Sequence, residues 1–134
     1  MKNKTLAADY ILRAGHRLAA LEVLMQRRGY ADVVRESQEL IELCLKGLLR
    51  VSGIEVPRIH DVSDILLKSE NLLPASIKPH VKKIAKISRH LRRDRELSFY
   101  GSEDLTPSEF YKEEDAKSAL EDAGWIYSLC KEVV

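Results

Sequence analysis

The sequence predicts an all-α fold, an up-and-down bundle of four to five antiparallel helices, and three observations lead there. Apolar residues recur at steps of three and four in every long segment. Aromatic residues make up only 6% of the chain, so its apolar content is mostly Leu, Ile, Val and Ala, which suits helix packing. No stretch alternates with the period of two that a half-buried strand needs.

With 134 residues, 45% of them hydrophobic and 32% charged, the chain is expected to form one domain over residues 1–134. The first segment carries its stripe at Leu6, Tyr10, Ala14, Leu18, Leu21 and Met25, and Arg27-Arg28-Gly29 reads as its stop. The second is more strongly patterned, with Val33 or Val34, Ser37, Leu40 and Ile41, Cys44 and Leu45, then Leu48 and Leu49, closed by Gly53. So short a connection implies an antiparallel hairpin. A short helix from Asp61 to Ser69 follows, with Asp61 as N-cap and Val62, Ile65 and Leu66 in contact spacing.

Pro74 and Pro79 bracket the start of the next helix, since proline fits a first turn but not a helix interior. Its stripe is Ile77, Val81, Ile84, Ser88 and Leu91. Tyr100-Gly101-Ser102 reads as a loop, and Thr106-Pro107-Ser108-Glu109 has capping-box form. The last helix shows Ala116, Ala119, Leu120, Ala123, Tyr127 and Cys130.

Several function classes are disfavoured. Cys44 and Cys130 sit at apolar helical positions without a ligand partner at metal spacing, so they read as buried thiols and no metal site is expected. No segment approaches the roughly 18 to 20 apolar residues of a membrane span, and the N-terminus has no apolar signal core. A cytoplasmic location without membrane partners is the expectation. The glycines form no phosphate-binding loop, and there is no HExxH or nucleophile-elbow pattern, so no cofactor is implied.

The net charge of +1 conceals a segregation. Lys78 to Arg95 holds eight cations against one acid, or +7, whereas Glu96 to Val134 holds three against ten, or −7. Within the basic run, Arg89-His-Leu-Arg-Arg-Asp-Arg-Glu-Leu-Ser-Phe-Tyr-Gly101 is the most informative window. One further step of the apolar stripe after Leu91 lands on Arg95, placing a guanidinium where the pattern assigns an inward or interface position. Such a charge needs a paired carboxylate or an anion. Arg92, Arg93, Arg95 and Tyr100 are the candidate ligand-binding residues, because guanidinium forks match phosphate oxygens and rings stack on bases.

The same cations could instead complement a helix C-terminus and meet the acidic last helix. His90 and His16 are the histidines best suited to proton transfer, although no motif activates a nucleophile beside either one. His60 reads as a turn or cap residue and His80 as a surface residue.

The second segment, Tyr30-Ala-Asp-Val-Val-Arg-Glu-Ser-Gln-Glu-Leu-Ile-Glu-Leu-Cys-Leu-Lys-Gly-Leu-Leu49, resembles the second helix of HEPN domains. Gly53-Ile54, Pro57, His60-Asp61, Arg95-Glu-Leu-Ser-Phe-Tyr-Gly101 and Asp115-Ala116 extend the resemblance, in order, over nearly the whole chain.

The resemblance implies a bundle that commonly forms a homodimer with a basic cleft between subunits, in many members a metal-independent ribonuclease. In those members an Arg steadies the phosphate, and a His that follows it after four to six intervening residues moves the proton of the 2′-hydroxyl. Here no arginine has a histidine at that distance, and with four residues intervening Arg95 is followed by Tyr100, whose phenol is a poor general base at neutral pH. Other members are partners of a nucleotidyltransferase in two-gene, toxin–antitoxin-like modules, where an exposed Tyr100 could accept a nucleotidyl group.

Three readings therefore stay open. The first is a nucleotide- or RNA-binding module. The second is a ribonuclease with a degenerate motif drawn from Arg95, Tyr100 and His90. The third is an interaction protein.

Overall fold

The computed structural model describes residues 4–56, 58, 61–93, 100–102 and 104–134. These form an all-α bundle: α1 (Lys4–Gln26), α2 (Tyr30–Val51), α3 (Val62–Lys68), α4 (Val81–Arg93), α5 (Pro107–Phe110) and α6 (Glu113–Val133). Single 3-10 turns at Glu70–Leu72 and Lys78–His80 link α3 to α4. No strand occurs among the described residues, and no described helix is long and apolar enough to cross a membrane.

The centre of the bundle is α2, with α1 and α6 packed along it. Its positions 33, 34, 37, 40, 41, 44, 45, 48 and 49 are all buried, as the pattern predicts. Each fully buried Leu among them contributes about 1.5–3 kcal/mol of apolar burial. Gly47 lets α1 approach closely, since a Cβ there would lie 3.3 Å from the Ala7 carbonyl oxygen. Nearer the other end of the hairpin, Arg17 bonds Glu36 at 2.8 Å, so the two helices run antiparallel. Cys44 and Cys130 meet as buried free thiols between α2 and α6. The neighbouring Cys44 and burial together push the Cys130 thiol well up, which keeps it protonated.

Local signals fixed most boundaries. At the end of α2, Gly53 adopts φ 76°, while the amides of Gly53 and Ile54 bond the carbonyls of Arg50 and Leu49. That is a Schellman close with the glycine in its expected place. The end of α1 corrects the sequence reading. Arg28, not Gly29, takes the left-handed position (φ 60°), and Gly29 donates to the Leu24 carbonyl one step later.

The α1 stripe is also rotated from the expected one. Ala7, Ile11, Ala14 and Leu21 are buried, whereas Leu6, Tyr10, Leu18 and Met25 flank them half-buried. Around Gly47 of α2 lie the Ala7 backbone and the side chains of Tyr10 and Ile11.

The Thr106 capping box forms as expected but heads only the one-turn α5. Tyr111 then leaves the helical path to bury its ring, and α6 restarts with Asp115 accepting from the Lys112 amide at 2.8 Å.

Candidate basic groove

On α4, one face is apolar and the remainder is cationic. Val81, Ile84, Ala85, Ile87, Ser88 and Leu91 are buried, and every exposed residue of the helix (Lys82, Lys83, Lys86, Arg89, His90, Arg92 and Arg93) is Lys, Arg or His. At about 100° per residue, Lys82, Lys86, Arg89 and Arg93 fall within about 60° of one another and form a single stripe. Lys83 and His90 lie to one side of it and Arg92 to the other.

The contacts agree with that projection. Lys83 sits 4.2 Å over the Trp125 ring of α6, and Asp122 of α6 feels both Lys83 and His90. Burial raises the Asp122 carboxyl above the ordinary aspartate value. Lys83 and His90 pull it down and Glu121 adds to the rise. On the opposite flank, Arg92 approaches Asp61 at 4.0 Å.

The other wall belongs to α3. Asp61 caps it, accepting from the Ser63 amide at 2.9 Å and from the Ser63 hydroxyl at 2.8 Å. Burial works to raise the Asp61 carboxyl, but the Ser63 hydrogen bonds and the charges of Arg92 and Arg89 outweigh it, so the group is held below the usual range. One turn on, Asp64 pairs with Arg89 at 3.1 Å. Arg89 and Arg92 of α4 thus form ion pairs toward α3, whereas Lys83 meets Trp125 of α6 and the half-buried Asp122 feels Lys83 and His90.

Between α3 and α4 lies an open groove of about 510 Å³, floored by Leu67 and Ala85 and lined by Lys82, Lys86, Arg89, His90 and Arg93. At its rim the Arg93 guanidinium stands 3.1 Å from His90 Nδ1. Because a guanidinium has no acceptor, this contact is a hydrogen bond only when Nδ1 is the unprotonated nitrogen. The groove combines converging cations with a small apolar floor, which suits phosphate oxygens beside a sugar or base. No group of three metal-ligating side chains occurs among the described residues.

The sequence-predicted site residues separate. Arg93 and His90 share the groove, while Arg92 turns to the N-cap of α3. Tyr100 is 74% exposed. Arg95 lies outside the described residues, as do Pro57, His60 and Phe99. His80 is half-buried, edge-on to Trp125 at 5.4 Å, rather than a surface residue. His16 lies in a second groove, between α1 and α6, with Tyr127 and Lys131.

Lys82, Lys86 and Arg89 were counted in the basic run but not singled out. Their signal was the spacing 82, 86, 89 and 93, which marks one helix face as surely as an apolar stripe does.

Comparison with known proteins agrees with this architecture. The family model described as the HEPN domain matches residues 7–133. A protein of Methanocaldococcus jannaschii that carries the name "Putative toxin MJ1304" is 30% identical over 129 residues, covering 92% of this chain and 84% of that protein. No solved structure gives a significant match. With a helical bundle, and with a family match that runs from α1 to the end of α6, the chain belongs to the HEPN domain family.

Proposed function

We propose that this chain, as one functional unit over residues 1–134, is a HEPN-type module that binds a phosphate-bearing ligand, RNA or a nucleotide. In this proposal it acts as a homodimer and as the partner component of a prokaryotic two-gene, toxin–antitoxin-like system with a nucleotidyltransferase. The observation that carries the proposal is the surface of α4, whose exposed positions are all basic and five of which, Lys82, Lys86, Arg89, His90 and Arg93, line one groove. Arg92, Arg93, Arg95 and Tyr100 are the proposed ligand contacts. The name borne by the archaeal relative supports the toxin–antitoxin setting.

Fluorescence anisotropy with a labelled single-stranded RNA tests the binding. Arg93→Ala is expected to weaken it about tenfold, the size of one charge-assisted hydrogen bond. Equal affinity of wild type and variant refutes the assignment. Sedimentation equilibrium tests the dimer, with a monomer at all concentrations as the contrary result. Coexpression with a nucleotidyltransferase followed by mass spectrometry tests Tyr100 as an acceptor, and the absence of an adduct there removes that role.

A second reading, metal-independent RNA cleavage, is favoured by the 3.1 Å contact of His90 with Arg93, an imidazole beside the cation proposed to hold phosphate. Cleavage of structured RNA in chelator, lost in His90→Ala, supports it. Intact RNA with wild-type protein excludes it.

A further inference from the structure

Resting on the anion-binding function proposed above, we infer that the stripe Lys82, Lys86, Arg89 and Arg93 is a track for the phosphodiester backbone of a single-stranded nucleic acid, running from the C-terminal end of α4 back to its first turn. The four cations follow one another at about one helical turn and extend over about 16 Å of helix axis. That spacing is of the same order as the separation of successive phosphates along a strand. It exceeds what one phosphate or one mononucleotide can engage.

The flanking cations lie off the stripe, Lys83 on the side of the Trp125 ring and Arg92 on the side of Asp61. Among the described residues Lys82 and Lys86 make no ion pair. Among the described residues, Arg89 is the member of the stripe that pairs with a carboxylate, Asp64, and the two side chains are 58% and 56% exposed. An ion pair so exposed exchanges for a phosphate at little cost.

The floor of the groove decides between a nucleic acid and an acidic protein. Leu67 and Ala85 offer far less apolar surface than the apolar share, a little over half, of the roughly 800 Å² per partner that a stable protein interface buries. Binding through a row of phosphate contacts needs no such surface. Asp64 then acts as a competitor that must release Arg89 when the strand enters.

The test is the salt dependence of binding, with the full chain and a labelled 12-mer oligouridylate as probe. Four phosphate contacts to a single strand give a log–log slope near about −2.8, so affinity falls about 50-fold between 50 and 200 mM salt. In the double variant Lys82→Ala/Lys86→Ala two contacts remain. The slope drops to about −1.4 and the fall to about 7-fold. Both lysines are exposed on a helix and alanine is a strong helix former, so circular dichroism is expected to match wild type.

Asp64→Asn frees Arg89 and is expected to tighten binding about threefold, whereas Asp9→Asn on α1, with the same change in net charge, is expected to leave it unaltered. Oligothymidylate is expected to bind within a few-fold of oligouridylate, because the contacts are to phosphates. A double-lysine variant with the wild-type slope overturns the track and leaves anion binding at Arg93 standing. Displacement of the RNA by poly-glutamate of equal length and at equal concentration overturns it in favour of an acidic protein. Wild-type protein that binds neither oligonucleotide overturns the anion-binding function together with the track.

Discussion

Asp61 holds two jobs that a pair of substitutions separates. Its carboxylate caps α3 through the Ser63 amide and hydroxyl, and it faces Arg92 across 4.0 Å. Removing an Asp cap costs about 1 kcal/mol, within a range of about 0.5–2. The ion pair is worth less. At 4.0 Å, with side chains 42% and 29% exposed, it contributes at most about 0.5 kcal/mol.

Asp61→Ala therefore loses about 1.5 kcal/mol, or about 5 °C in Tm for a chain of this size, whereas Asp61→Asn keeps a cap acceptor and loses only the smaller part. Urea denaturation at pH 7 measures both. The pH dependence carries its own sign. A carboxyl depressed in the folded state gives stability that is present above its unfolded value of about 3.9 and lost as pH falls through the lower folded value. The gap between wild type and Asp61→Asn should therefore close in acid below about pH 4. If Asp61→Asn costs as much as Asp61→Ala at pH 7, the charge and not the cap holds α3 in place, and the assignment is wrong.

Other substitutions probe the elements around the groove. Asp122 has the opposite sign, since its carboxyl is raised by burial. Its stabilising contribution exists below about pH 4 and is lost as pH rises through the folded value, so Asp122→Asn should raise Tm at pH 7 and not at pH 3.5. Gly101→Ala forces a side chain onto φ 80° with its Cβ 2.6 Å from the Leu105 carbonyl oxygen. A loss of at least about 1–2 kcal/mol is expected in urea titration, and an unchanged midpoint contradicts the turn geometry. Ser37 is fully buried and its hydroxyl has no hydrogen-bond partner among the described residues. Ser37→Ala should stabilise by about 1 kcal/mol, and a destabilised variant would reveal a bond this account lacks.

Much of this fold was legible because burial and helical spacing are both local signals. The α2 pattern of paired apolar positions named its buried face, Gly53 its end and Asp61 the start of α3. The places where the reading slipped are those decided by a partner element. The α1 segment offers apolar residues on adjoining faces, and the close approach of α2 at Gly47, against the Ala7 carbonyl and the Tyr10 and Ile11 side chains, decides which of them are buried. Arg28 in the left-handed position could not be told from Gly29 by composition.

The site divides in the same way. The basic run was visible as charge, but its sorting was not. Which cations turn to Trp125, which to Asp61 and which remain on the groove depends on where α3 and α6 lie around α4. His80 was misjudged for the same reason, because Trp125 is 45 residues away along the chain.

Nucleic acid lying along the exposed face of α4 would shield the lysines of that face from chemical modification. Lysine acetylation followed by mass spectrometry, with and without oligouridylate, reads that face directly. Slowed labelling of Lys82 and Lys86 is expected in the presence of RNA, with unchanged labelling of Lys4, Lys112 and Lys117, which are exposed and lie outside α3 and α4. Labelling of Lys82 and Lys86 that is indifferent to RNA, with protection at those other lysines instead, would contradict that placement.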